Sequence, residues 1–145
     1  MNSESLIIKT AIRTLEIEAE TLQQLKATIG STFEAAVRAI FGCKGRVVVT
    51  GIGKSAIVAQ KIVATFNSTG TPALFMHAAD AVHGDLGMIQ PEDVILCLSK
   101  SGETQEIKLL LPMLRQRGTC IIGMAANAQS YLATCADYCL LTPTP

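Results

Sequence analysis

Val94-Ile95-Leu96-Cys97-Leu98-Ser99-Lys100-Ser101-Gly102-Glu103-Thr104 is the stretch on which the fold turns. Its first five residues are an uninterrupted apolar run, the pattern of a strand buried on both faces. From Glu106 to Gln116 the apolar residues fall at helical spacing. Three hydroxyl side chains and a glycine therefore lie where a strand ends and a helix begins. Free backbone N–H groups and the positive end of a helix dipole suit an anion there, phosphate above all. Ser99, Ser101 and Thr104 can donate to phosphate oxygens, and Gly102 allows close approach of the backbone. A helix N-terminus with a capping hydroxyl and no ligand has the same composition, so the rest of the chain must decide.

Working outward, the alternation continues on both sides. Arg46 to Thr50 is a β-branched strand, Ser55 to Asn67 a helix, and Ala73 to His77 a short second strand. Beyond the central stretch come a fourth strand at Thr119–Met124, a short helix near Ser130–Ala136 and a fifth strand at Tyr138–Leu141. Pro112 removes one ladder bond from the helix after the third strand, so a kink is expected there. Apolar strands joined by helices predict an α/β fold, a three-layer αβα sandwich on a five-stranded parallel sheet. The flavodoxin-like order 2-1-3-4-5 places the ligand crevice between strands 1 and 3.

Before the first strand, Ile8, Ile12, Leu15, Ala19, Leu22 and Leu25 mark a long helix with a continuous apolar stripe, begun near Ser3 with Glu4 in its first turn. That stripe either covers a sheet face or packs on a neighbouring subunit. Gly30 ends the helix, and Ser31-Thr32-Phe33-Glu34 reads as a capping box opening a second helix that closes at Gly42.

Composition narrows the function. The chain has 145 residues, enough for one domain with one core, and 49% of them are hydrophobic. Twelve basic and twelve acidic residues cancel, and aromatics are only 4%, so nothing supports a nucleic-acid surface. No apolar run is long enough to span a membrane, and Met1-Asn2-Ser3-Glu4-Ser5 is not the basic start of a signal peptide. Five cysteines without a C-x-x-C pair fit buried free thiols in a reducing cytoplasm.

Order 2-1-3-4-5 brings the loop after the first strand beside the hydroxyl loop. That loop, Gly51-Ile52-Gly53-Lys54-Ser55-Ala56, matches G-x-G-x-x-A. A dinucleotide site would require an acidic residue ending the second strand, where Phe75-Met76-His77 offers none. A Walker A loop would place its leading glycine at Val48, inside the strand, and is rejected. What remains is a tight turn presenting Lys54 and Ser55 to an anion. His77 and His83, with Asp80 and Asp85, lie at a strand end and in a loop. They can do acid–base work or bind a metal, although their spacing matches no zinc pattern. Glu103 and Glu106, three apart, fall near one face of the following helix, where either could serve as a proton-transfer base or complement the dipole.

Four blocks taken together resemble the sugar isomerase (SIS) domain, specifically that of arabinose-5-phosphate isomerases. They are Val48–Ser55, Ser68–Ala73, His83–Ile89 and Leu98–Ile107. The resemblance implies interconversion of D-arabinose 5-phosphate and D-ribulose 5-phosphate through an enediol, in 3-deoxy-manno-octulosonate (Kdo) and lipopolysaccharide or capsule biosynthesis. It implies that Lys54, Glu106 and His83 are catalytic. Gly53, Ser55, Gly70, Thr71, His77, His83, Ser99, Ser101, Gly102 and Thr104 would bind the substrate. No cofactor is required, although His77 matches a position able to take zinc. A cytoplasmic homo-oligomer, a tetramer in the family, is expected. An alternative within the same fold is a non-catalytic domain that senses a phosphosugar. Lys100 departs from the family by replacing an asparagine, and Ala78-Ala79-Asp80 replaces Pro-Gly-Glu. Relatives continue with a further segment and often CBS domains, so residues 1–145 are expected to form a single SIS domain without them.

Overall fold

Val47, Val48 and Val49 are all fully buried, which requires that both faces of their strand be covered. The computed structural model, describing residues 5–144, shows how. Strands β1 (Val47–Gly51), β2 (Ala73–His77), β3 (Val94–Leu98), β4 (Cys120–Ala125) and β5 (Tyr138–Leu141) form one sheet. Its order is β2-β1-β3-β4-β5, every pair is parallel, and Gly51 stands opposite Leu98 at the end of the β1–β3 ladder.

Alternate side chains feed two separate cores. Val47, Val49, Leu96 and Ile122 pack with Ala36 and Ala59, from helices α2 (Ser31–Phe41) and α3 (Lys54–Ser68). Val48, Ile95, Cys97 and Ile121 pack on the other face with helices α4 (Ala78–His83), α5 (Gln105–Gln116) and α6 (Tyr131–Cys135). Because α3 and α5 cover opposite faces, the chain leaves β1 and β3 in opposite directions, and a crevice opens between their C-terminal ends.

Several local expectations are corrected. Helix α1 (Leu6–Leu25) is capped by the Ser5 hydroxyl, which accepts from the Ile7 amide at 3.3 Å; Ser3 and Glu4 lie outside the described residues. None of its residues is buried, so it does not cover the sheet. No capping box forms at Ser31: Gly30 is the N-cap, and the Glu34 carboxylate instead pairs with Arg38 at 2.6 Å, one turn on. Gly42 closes α2 with φ −85°, a conformation open to any residue. The segment after β2 is not a loop, since α4 begins at once and puts Asp80 in its first turn and His83 in its last. Helix α5 runs unbroken through Pro112.

Candidate active site

The turn after β1 is shaped by two glycines. Gly51 approaches Ser55 and the Leu98 carbonyl so closely that a Cβ would come within about 3.1 Å of both. Gly53 takes φ +57° and forms the N-cap of α3, so Lys54 and Ser55 begin the helix at the rim of the crevice.

The loop after β3 is held from within and from the side. The Ser99 hydroxyl accepts from the Gly102 amide at 3.1 Å, and the Ser101 hydroxyl accepts from the Glu103 amide at 3.2 Å. As acceptors, both hydroxyls keep their own proton for an outside partner. Along the flank, the Ser99 amide donates to Met124 O, the Ala126 amide to Lys100 O and the Leu132 amide to Gly102 O, at 2.9–3.0 Å. Gly102, at φ +68°, packs so closely on Ser130 that a side chain would collide with it. Glu103 completes the lacing: its carboxylate accepts from the Tyr131 amide at 2.6 Å and pairs with Lys108 at 2.6 Å. The Lys108 ammonium first, and the Tyr131 amide second, hold this carboxyl below the usual range.

Thr104 occupies the N-cap of α5, yet its hydroxyl caps nothing and is buried without a partner. The first-turn amides of α5 are left without an intrahelical acceptor, as at any helix start. Buried polar groups are ordinarily paired, so a hydroxyl without a protein partner beside the free first-turn amides leaves donors that can receive an acceptor.

The two turns share one cleft of about 570 Å³. Ile52 and Ser55 line it from the first turn, Ser99, Lys100, Ser101, Glu103 and Thr104 from the second, and Ala126 and Asn127 from the loop after β4. Lys54 lines an adjoining cleft of about 290 Å³, which shares Ser55, Ser99 and Lys100 with the first. Asn127 was missed in the sequence, although the position of β4 beside β3 predicts that the loop following it reaches the crevice.

Other expected site residues lie elsewhere. Glu103 precedes α5 rather than riding on it, so it does not share a helix face with Glu106. Glu106 stands in the first turn of α5, half-buried. His77 ends β2 opposite Gly51, on the cleft's rim of the sheet, with Nδ1 buried and 4.0 Å from Asp80. Among the described residues no three His, Cys, Asp or Glu side chains converge on a metal position, and a lone His–Asp pair falls short of a zinc site. His83, at the end of α4, is exposed and lines neither cleft. Gly70 and Thr71 precede β2 and therefore lie at the opposite rim of the sheet, beside a separate cavity of about 280 Å³ with Phe41 and Cys43. Within one chain they cannot touch a ligand in the 570 Å³ cleft.

The family model of the SIS domain matches residues 40–145. The chain belongs to the SIS domain family. This SIS domain is 48% identical over 131 residues to the arabinose 5-phosphate isomerase KdsD of Yersinia pestis, covering 90% of this chain and 40% of the relative. It thus spans about 40% of the length of the curated relatives it matches. An Escherichia coli CFT073 protein solved in complex with arabinose 5-phosphate superposes with a TM-score of 0.81 at 37% identity, covering 100% of this chain and 77% of that one. The sugar isomerase domain of the RpiR transcription factor from Sphaerobacter thermophilus superposes with a TM-score of 0.78 at 25% identity, covering 98% and 78% of the two chains.

Proposed function

We propose that this SIS domain carries the phosphosugar-binding cleft of an aldose–ketose isomerase that interconverts D-arabinose 5-phosphate and D-ribulose 5-phosphate. The observation that carries the reading is the meeting of the Gly51–Ser55 turn and the Ser99–Thr104 loop in one cleft, with the Thr104 hydroxyl buried and unpaired. The similarity to KdsD supplies the substrate.

The phosphate would sit on the hydroxyls of Ser99, Ser101 and Thr104 and the first amides of α5, with Gly102 allowing the approach and Ser55 opposite. The sugar then extends past Gly53 and Lys54 toward His77. A base takes the proton from C2 of the aldose, and the electron pair forms the C1–C2 double bond of an enediol. The carbonyl oxygen at C1 gains a proton as the hydroxyl at C2 loses one, and return of a proton to C1 leaves the ketose. Glu106 is the carboxylate proposed as base, because Glu103 is tied to Lys108 and Tyr131. Lys54 stabilises the developing oxyanion, and His83, which lines neither cleft of its own chain, would reach the sugar only from a second copy. The reaction needs no redox cofactor. A zinc ion at His77 would require donors beyond those the described residues bring together.

The position of one pair of residues supports an assembly. Gly70 and Thr71 can reach a sugar only in the cleft of a second copy, so a homo-oligomer, a tetramer as in the family, completes the site. Phosphorylated sugars and five free thiols favour the cytoplasm as the setting of the reaction, in Kdo and lipopolysaccharide or capsule biosynthesis.

The test is turnover of arabinose 5-phosphate by the full-length protein, wild type against Lys54→Ala and Glu106→Gln. Each substitution is expected to lower kcat by ~100-fold or more, the usual worth of a positioned acid or base. Unchanged turnover in both would remove these assignments. Tight phosphosugar binding without turnover in the wild type would favour the sensor, a reading kept open by the likeness to the RpiR domain.

A further inference from the structure

Lys100 stands between the two serines of the β3–α5 loop and lines both adjoining clefts. Its backbone is fixed, since its carbonyl accepts from the Ala126 amide at 2.9 Å, while its side chain is exposed. Among the described residues it makes no salt bridge. The acidic residue that lines the same cleft is Glu103. Both carboxylate oxygens of Glu103 are already engaged, one by Lys108 and the other by the Tyr131 amide, and the Glu103–Lys108 pair is neutral as a unit. The cleft therefore presents uncompensated positive charge from Lys100, with Lys54 across the shared wall at Ser55 and Ser99. The remaining donors of the loop, three hydroxyls and the α5 amides, carry no net charge.

We propose that Lys100 is an anion-binding and specificity-determining residue, a mobile ammonium that closes over a phosphate monoester dianion seated in the hydroxyl loop. The proposal rests on reading this cleft as the phosphate site, not on the reaction that follows. Neutral donors can hydrogen-bond a sugar hydroxyl and a phosphate alike. A nearby cation makes the difference between them depend on charge, because it attracts the dianion and gains nothing from an uncharged ligand. An exposed ammonium is also screened by salt, so the affinity it adds should fade as ionic strength rises. The compact ammonium on a long stem suits a point-charge contact that follows the phosphate.

The test is calorimetric titration of the full-length protein with inorganic phosphate at several sodium chloride concentrations. Wild type is compared with Lys100→Asn, which keeps a neutral donor, and Lys100→Arg, which keeps the charge. At low salt the Asn variant should bind phosphate about tenfold more weakly, the lower end for a charge-assisted contact, and its salt dependence should be flatter. The Arg variant should stay within about threefold of wild type. In turnover, Lys100→Asn should raise KM about tenfold and leave kcat within about threefold, because the contact is equal in ground and transition states. Phosphate affinity within twofold of wild type at every salt concentration would overturn the proposal. So would a loss matched in the Arg variant, which would indicate packing rather than charge. Because the titration needs no turnover, failure of the isomerase reading leaves its outcome intact.

Discussion

Asp93 is a charged side chain only 2% exposed, and its surroundings explain why it is tolerated. It accepts from the Arg46 amide at 2.8 Å and the Gln90 amide at 2.9 Å, and it pairs with the Arg46 guanidinium at 3.2 Å. Burial pushes this carboxyl upward, but the two amides and the guanidinium outweigh it, and the net displacement is downward. The residue ties the start of β3 to the start of β1, far from the cleft, so it belongs to stability rather than to function. An asparagine there would keep one acceptor and turn its amide donors toward another N–H or the guanidinium. Asp93→Asn should therefore cost about 2 kcal/mol in urea unfolding at pH 7 while leaving phosphate affinity unchanged. With a depressed folded pKa, the contribution is full above the unfolded value near 3.8 and is lost as pH falls through the folded value. The gap between wild type and variant should accordingly narrow below pH ~4. An equal gap at pH 3 and pH 7 would contradict the charged role. Nothing in the sequence distinguishes Asp93 from Glu92 beside it, because the difference lies in which side chain turns inward at Gly45.

Two elements carry opposite departures from local preference. Helix α5 contains Pro112, exposed and lacking the N–H that would bond the Lys108 carbonyl. Pro112→Ala supplies that bond, and although it also frees the unfolded chain, the balance favours the folded state by ~1 kcal/mol. A rise in Tm of about 3 °C is expected by calorimetry, and an unchanged or lower Tm would show that the helix depends on the proline. The β3–α5 loop contains Gly102 at φ +68°, against Ser130. Gly102→Ala adds left-handed strain of ~1 kcal/mol and a methyl about 2.6 Å from the Ser130 Cβ, so the loop must move off α6. Phosphate affinity should fall at least tenfold, with Ser130→Gly partly restoring it by removing the collision; affinity equal to wild type would mean the loop's posture is irrelevant to binding. These elements also show what the chain made legible. The strands were readable to within a residue because unbroken β-branched and apolar runs have one physical use here, the interior of a parallel sheet. The cleft was readable because sheet order alone sets Gly51 beside Leu98. Helix α4 was not, since six residues give too little period to oppose a loop reading of His77 to Gly87. The capping box at Ser31 failed because Gly30, without a side chain, took the cap one residue earlier and Arg38 captured Glu34.

On the scale of the whole molecule, the apolar surface is unevenly distributed. Helix α1 has no buried residue, and Leu6, Ile7, Leu15 and Leu22 are 65–80% exposed along it. Phe41 on α2 and Ile57 on α3 are also exposed, at 93% and 68%. A twenty-residue helix is ~30 Å long, and an apolar stripe of that extent exceeds what monomers usually leave in water. The homo-oligomer proposed above would give it a use: a second copy would cover the stripe, and the rim bearing Gly70 and Thr71 would approach that copy's cleft. Association and activity should then fall together. Leu15→Glu with Leu22→Glu places two charges on the stripe without touching either sheet core, so each chain should still fold, with an unchanged far-ultraviolet spectrum. Sedimentation velocity should show wild type as an oligomer and the double variant shifted toward monomer, with turnover reduced at least tenfold at protein concentrations where it has dissociated. Mixing then separates the two roles of the interface. If the opposite rim serves a neighbour's cleft, a Lys54→Ala chain and a Thr71→Asp chain, each inactive alone, should regain activity when co-assembled, because some clefts then combine an intact lysine with an intact partner rim. No recovery from a mixture proven to co-assemble would confine each site to its own chain and leave Gly70 and Thr71 without a part in it.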